Sequence, residues 1–436
     1  MKRDVPTATT GQDIVRILAV SYALPPALYP QAIQIGRLLA HCDADVGAVS
    51  CAFDDHAGLD QDFGLDSRLA FRLAVGFQPR LSGLAFSLAR RFVPFFARIP
   101  DEFRAWVPLA EAAVFEKLRE SLFAPDVVVT FGEPMSDHLL GLRLKAKLKL
   151  PWVAHFSDPW SDNPFRRRNV LANFLNRRLE RRVITHADHL VFTSSETVDL
   201  VMRKYPQEWQ QKCSVLPHSF DPALYPKHSP DGAMLVARYL GNFYGHRTPL
   251  PLFRALHAIL RDEPDLLRDV RIELVGQVPA WVKCHRTFRS LPENLVRLVS
   301  SVPYSEALKL MAESDLLLVI DGPDDLSVFL PSKLIEYIGA GVPICGIVPP
   351  GTSASVLRRF GGPVADPRDT SRVAEMLVSA LRLARERRSG TASLQWGDPG
   401  LRSKFAIEQV TSEFDAILAD VVQRNRGPDG GLRADG

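Results

Sequence analysis

The strongest constraint on the fold is a rhythm in the apolar residues. Short, nearly continuous apolar runs recur at Ile14–Ser21, Asp126–Phe131, Trp152–Phe156, His189–Thr193, Leu235–Leu240, Arg271–Gly276, Leu316–Ile320 and Ile344–Val348. Stretches with helical periodicity fall between them, such as Gln31–Ala40 and Thr370–Arg388. A strand that is apolar on both faces needs cover on both sides, and strands joined through helices run parallel. The chain is therefore expected to be α/β, with doubly wound parallel sheets. Its 436 residues exceed what one core usually holds, so two such units are expected.

Composition mainly excludes. With 46% hydrophobic and 24% charged residues, the chain reads as an ordinary globular protein. A net charge of +3 is too small for nucleic-acid binding by bulk electrostatics, so no nucleic-acid partner is expected. No apolar run is long enough to cross a membrane, and MKRDVPTATTGQD lacks the apolar core of a secretion signal. The five cysteines are far apart and form no CxxC pair, which suits a reducing, cytoplasmic setting and argues against zinc. Asp43-Ala44-Asp45 and Asp60-Gln61-Asp62 match a DxD metal pattern, but neither follows a strand end and no metal site is assigned.

Chemistry concentrates in VFLPSKLIEYIGAGVPICGIV, Val328–Val348. Pro331 suits the first position of a helix, where its missing N–H has no partner to lose. Ser332 and Lys333 then lie in the first turn, among free backbone N–H groups and the positive end of the helix dipole. A lysine there opposes the dipole, so it suits a bound phosphate better than it suits stability. Glu336, one turn on, can accept hydrogen bonds from a sugar hydroxyl. Gly339, Gly341 and Pro343 end the helix ahead of a strand at Ile344–Val348.

PSKLIEYIGAGVPI resembles the donor-site segment of family 4 glycosyltransferases with the GT-B fold. The resemblance implies two Rossmann-like domains facing a cleft, and a retaining, metal-independent transfer from a nucleotide-diphosphate sugar with no cofactor. It makes Glu336 the ribose partner and the second Glu of the family's E-x7-E pattern; the first falls on Val328, a departure that bears on the donor sugar. PHSFD, Pro217–Asp221, stands where the family chain crosses domains. The expected division is 1–217 for an acceptor-side domain, 218–403 for a nucleotide-sugar domain, 404–424 for a helix crossing back, and 425–436 for a disordered tail.

In the second domain, the loop GNFYGHRTP holds Gly241, where a phosphate can approach the backbone, and Arg247, which can fork onto a diphosphate. Asn242 occupies the family's arginine position. Gly276 ends the next strand, and by resemblance Val302 and Tyr304 line the nucleobase. In the first domain the resemblance makes YALPPALYP an acceptor-side loop, with Pro26, Tyr29 and Gln31. HFSDPW places Asp158 at a strand's carboxyl end, where open α/β sheets hold reactive groups. Asp158 is the first candidate for base or acceptor contact; His155 is the second, or else a strand residue facing the core. PDVVVTFGEPMSDHLLGLRLKAKLKLPWVAHFSDPW is similar to members acting in polysaccharide and cell-surface glycan assembly, which implies a glycan or lipid-linked acceptor.

Two arginine-rich stretches complete the reading. Phe71–Trp106 carries Arg80, Arg90, Arg91, Arg98 and Arg104 among aromatics; Arg166–Arg182 carries seven arginines in a helical pattern. Each is either a solvated helical face or a peripheral contact with an anionic membrane at the inner face. Ser136 or Asp137 is expected to cap the helix that follows. Two other classes share the architecture: a nucleotide-sugar 2-epimerase, and a non-catalytic scaffold subunit.

Overall fold

The computed structural model describes residues 14–27, 29–53, 63–77, 99–164, 170–227, 232–391 and 396–426. Asp60-Gln61-Asp62, Arg80, Arg90, Arg91, Arg98, Arg166, Arg167, Arg168 and the tail from 427 lie outside them.

Two all-parallel sheets carry the fold. The first has seven strands: β1 (Arg16–Val20), β2 (Asp45–Cys51), β3 (Leu69–Val75), β4 (Val127–Gly132), β5 (Trp152–Phe156), β6 (His189–Phe192) and β7 (Cys213–Val215). Their spatial order is β3-β2-β1-β4-β5-β6-β7. The second has β8 (Leu235–Leu240), β9 (Val270–Val275), β10 (Val296–Val299), β11 (Leu316–Ile320), β12 (Ile344–Ile347) and β13 (Val364–Ala365), in the order β10-β9-β8-β11-β12-β13. Strand order reverses direction between β1 and β4 in one sheet and between β8 and β11 in the other. Open α/β sheets bind ligands at the carboxyl ends of such strands.

The central strands are buried throughout, with helices packed on both faces of each sheet. The last helix, Ile407–Asn425, packs Val410, Phe414 and Leu418 against Ile17, Ile35 and Leu38 on the first sheet. The chain thus passes between the sheets twice, and the two passes touch. Phe220 donates its N–H to Phe405 O, and Ile407 donates to Phe220 O, both at 2.9 Å.

Several expectations are corrected. Phe71–Val75 belongs to edge strand β3, not to a helix, and Phe71 packs edge-on against Phe123 at 5.2 Å. Neither Ser136 nor Asp137 caps the helix Ser136–Leu148. Asp101 does so from outside, accepting from the Ser136 N–H at 3.0 Å and from its hydroxyl. Asp137 is buried and accepts the Tyr22 N–H at 2.7 Å. Pro331 is the N-cap of Ser332–Ala340, its ψ of 132° still extended, so Ser332 is the first helical residue. Asp43-Ala44-Asp45 runs into β2 at its amino end, opposite the carboxyl ends where open α/β sheets place their main cleft. Among the described residues, no helix is long and apolar enough to cross a membrane, and no cluster of three His, Cys, Asp or Glu could hold a metal ion.

Candidate functional site

At the switch point of the second sheet, Gly241 directly follows β8 and Asp321 directly follows β11, and the start of the Ser332–Ala340 helix meets them. Gly241 (φ 144°) and Gly276 (φ 131°) adopt backbone conformations that side chains disfavour. A Cβ on Gly276 would collide with the Gly241 carbonyl, and one on Gly241 would lie 2.8 Å from Lys333 Nζ. The two glycine loops and the helix start are thus in contact. Asn242 ties the loops together, its Oδ1 accepting the Gln277 N–H at 2.9 Å. It stays on the surface and supplies no positive charge.

Lys333 Nζ donates to Tyr239 Oη at 2.7 Å and lies 4.3 Å from the centre of that ring. Burial pulls its pKa well below the usual lysine range; Arg247 pushes the same way, and Asp321 opposes both. Arg247 is held at the mouth: Nη2 donates to Asp321 Oδ1 at 2.7 Å, and its guanidinium stands over Tyr244 at 5.0 Å. Asp321 in turn accepts from Gly322 N–H and Ser327 Oγ. Asp321 restrains Arg247 and Tyr239 holds Lys333, so two cations converge on a helix start, an arrangement chemically suited to an anion.

Glu336 already has partners in this structure. It is 5% exposed and sits between the domains. Its Oε1 accepts from Arg37 Nη2 at 2.9 Å, Tyr304 Oη at 3.0 Å and Gln34 Nε2 at 3.3 Å, while Oε2 accepts from Tyr225 Oη. Four donors use about the full acceptor capacity of a carboxylate. Arg37, fully buried, also donates to Ser219 O in the crossing segment, and Gln34 Oε1 accepts the Ser219 N–H at 2.9 Å. Tyr304 belongs to this hinge cluster, and Val302 packs beside it in the helix layer of the second domain. Glu336 therefore fastens the hinge in this arrangement and does not present a free oxygen to ribose.

Val328 is buried, and its carbonyl accepts from Ser194 Oγ, Thr197 Oγ1 and Thr352 Oγ1, each at 3.0 Å. Ser194 and Thr197 come from the first domain, so the position that holds a glutamate in the resembled pattern is here a second interdomain fastening.

On the first-domain side, Gln31, in the helix that follows β1, holds the end of β4, donating to Phe131 O at 3.4 Å and accepting the Glu133 N–H at 3.1 Å. Pro26 is half-buried in the same loop, and Tyr29 is half exposed against Phe53. His155 is 6% exposed; burial, and then His218 beside it, push its pKa down to about 3. It is a neutral wall residue, packed against Phe131 at 5.3 Å. Asp158 is half-buried two residues beyond the carboxyl end of β5.

Sequence reasoning missed Arg37, Gln34, Tyr225, Tyr239 and Asp321. A signal existed for the first two: Gln31, Gln34, Arg37 and His41 form a polar stripe along one face of Pro30–His41. Asp321 follows a buried strand directly, the same placement that singled out Asp158.

Two facing Rossmann-like domains joined by a double crossing define the GT-B fold. Residues 32–217 match the family model described as a glycosyl transferase 4-like domain. No curated protein sequence matches the chain. Among solved structures, Anabaena HepE in complex with UDP and glucose is similar at 16% identity and a TM-score of 0.63, covering 93% of this chain and 100% of its own. Sucrose-phosphate synthase of Thermosynechococcus elongatus is similar at 13% identity and a TM-score of 0.65, covering 94% and 100%. A UDP-N-acetylglucosamine 2-epimerase is similar at 13% identity and a TM-score of 0.55, covering 97% and 100%.

Proposed function

We propose that the protein is a glycosyltransferase that moves a sugar from a nucleotide-diphosphate donor to a glycan or lipid-linked acceptor. The observation that carries this reading is the meeting of Gly241, Gly276 and Lys333 at the switch point of the second sheet. In this reading the diphosphate lies on the first turn of the Ser332–Ala340 helix, against Lys333 and Arg247. These fixed cations and N–H groups stabilise the charge that develops as nucleoside diphosphate departs, the work done elsewhere by a divalent metal. The nucleobase lies near Val302, and ribose reaches Glu336 by displacing Arg37 or Tyr304 as the domains adjust. The acceptor approaches from the Pro26–Gln31 side, with Asp158 toward its hydroxyl. HepE, solved with UDP and with UDP-glucose, supports a nucleotide-sugar donor. Retention of configuration, independence of metal, a role in polysaccharide assembly and work at the inner face of a membrane belong to the same reading.

The shared fold also supports a second reading, an epimerase acting on the free donor sugar. Titration with UDP-, GDP- and dTDP-sugars, followed by product analysis, separates the two. Slow release of nucleoside diphosphate is expected; interconversion of the intact donor would establish the epimerase instead.

A further inference from the structure

A groove of about 820 Å3 crosses the helical layer of the first domain, away from Lys333, Arg247 and Asp158. It follows the helix Ser136–Leu148 between Val107–Glu120 and Val170–His186. Leu139, Leu142, Leu150, Leu179 and Val107 form its floor and walls. Its rim carries Arg104, Arg143, Lys145, Lys149, Arg182 and His186, and no lining side chain is acidic. Arg143 is paired with Glu111 at 2.8 Å and Lys145 with Asp188 at 2.5 Å, both acids lying outside the lining. Lys149 and Arg182 are exposed and take no acidic partner among the described residues. Leu150 and Pro151 immediately precede β5, so this cationic end lies at the amino ends of the strands, opposite the cleft.

The volume is within the range of small-molecule sites, and such sites are mostly apolar with a few placed charges. Here the apolar length and the uncompensated pair at one end specify a ligand with a chain and an anionic head. We propose that the groove binds one lipid anion at a time, its aliphatic chain on Leu139, Leu142 and Leu179 and its phosphate or carboxylate on Lys149 and Arg182. The proposal is independent of the donor site. It also gives a local role to Arg104 and Arg182, one from each of the arginine-rich stretches.

The test uses the full chain and dodecyl phosphate, titrated calorimetrically below its micellar concentration. One molecule is expected to bind per chain, while inorganic phosphate and dodecyl maltoside bind far more weakly. Reversing both cations, Lys149→Glu with Arg182→Glu, is expected to weaken binding by about tenfold or more. Ala146→Trp, at an exposed lining position, fills the groove and is expected to abolish binding with the unfolding midpoint unchanged. UDP binding should be the same in all variants. Equal competition by inorganic phosphate would reduce the groove to an ion site and overturn the proposal. So would dodecyl phosphate binding that survives Ala146→Trp, or binding seen only with phosphatidylglycerol vesicles and insensitive to that substitution.

Discussion

Lys333 and Glu336 stand one turn apart on the same helix, in two regions with opposite electrostatic character. At the helix start, Lys333 meets Arg247 with only Asp321 to balance them, and its ammonium is disfavoured by burial. At the hinge, Glu336 is matched by Arg37 and three further donors. Removing one partner of a buried ion pair is costly because the other charge is left unpaired, whereas an under-compensated cation costs the fold little to lose. The first region leaves its cations under-compensated; in the second the carboxylate is satisfied, and Arg37 Nε alone of that cluster has no hydrogen-bond partner among the described residues.

The largest effect that distinguishes them is on stability. Arg37→Ala leaves Glu336 buried without its counter-charge and is expected to cost about 3–5 kcal/mol in urea unfolding. Lys333→Met is expected to cost less than about 1 kcal/mol, or to stabilise, because a lysine whose pKa is depressed by folding carries a penalty at neutral pH. Equal losses in the two variants would erase the contrast.

Acid should attack the first domain and the crossing segment beside it. Burial pushes His155 and His138 down to about 3 and His218 down to about 4, with Arg37 adding to the shift at His218. Each folded pKa lies below the unfolded value, so their stability is fully present above about pH 6.5 and is lost as pH falls toward the folded values. A loss of up to about 3 kcal/mol per histidine is expected between about pH 6.5 and 4, read from urea midpoints across that range. His218→Gln should flatten part of the slope; an unchanged slope would remove His218 from the hinge account.

Ligand affinity comes next. Lys333→Ala is expected to weaken UDP binding by about 1–3 kcal/mol, the scale of a lost charge-assisted hydrogen bond. Glu336→Gln should do the same if ribose takes over its oxygen, measured by the same titration. Unchanged affinity with lowered stability would confine Glu336 to the hinge and sharpen the contrast between the two regions.

These contrasts were only partly legible in the sequence. Trp152–Phe156, Leu235–Leu240 and Leu316–Ile320 are the observed strands residue for residue, because central strands buried on both faces admit few other readings. The glycine loops and the helix start were legible for a similar reason, since a glycine at a strand end has few uses other than close approach. Edge strand β3 was not, because its arginine-interleaved pattern fits a helix face as well as a half-exposed strand. Nor was the saturation of Glu336. It depends on Arg37, 299 positions away, and no local pattern specifies which distant donor a carboxylate will meet.

The smallest effect tests how the hinge is backed from behind. Asp415, on the returning helix, accepts the Asp43 N–H at 3.0 Å, just beyond the helix that carries Gln34 and Arg37. Burial pushes its carboxyl up to about 6, against that hydrogen bond, and the Asp43 charge adds to the rise. The sign is opposite to that of the histidines. A raised carboxyl pKa contributes stability that is fully present below the unfolded value and lost as pH rises through about 6. Asp415→Asn keeps an acceptor for Asp43 and removes the charge. Because the side chain is partly in water, the gain at pH 7 should be about 1 kcal/mol, vanishing near pH 4. With this opposing term gone, the acid loss due to the histidines should become steeper between pH 6 and 4. If the Asn variant instead loses stability at pH 7, the ionised Asp415 is a favourable anchor, and the return helix would hold the hinge by charge as firmly as Arg37 does.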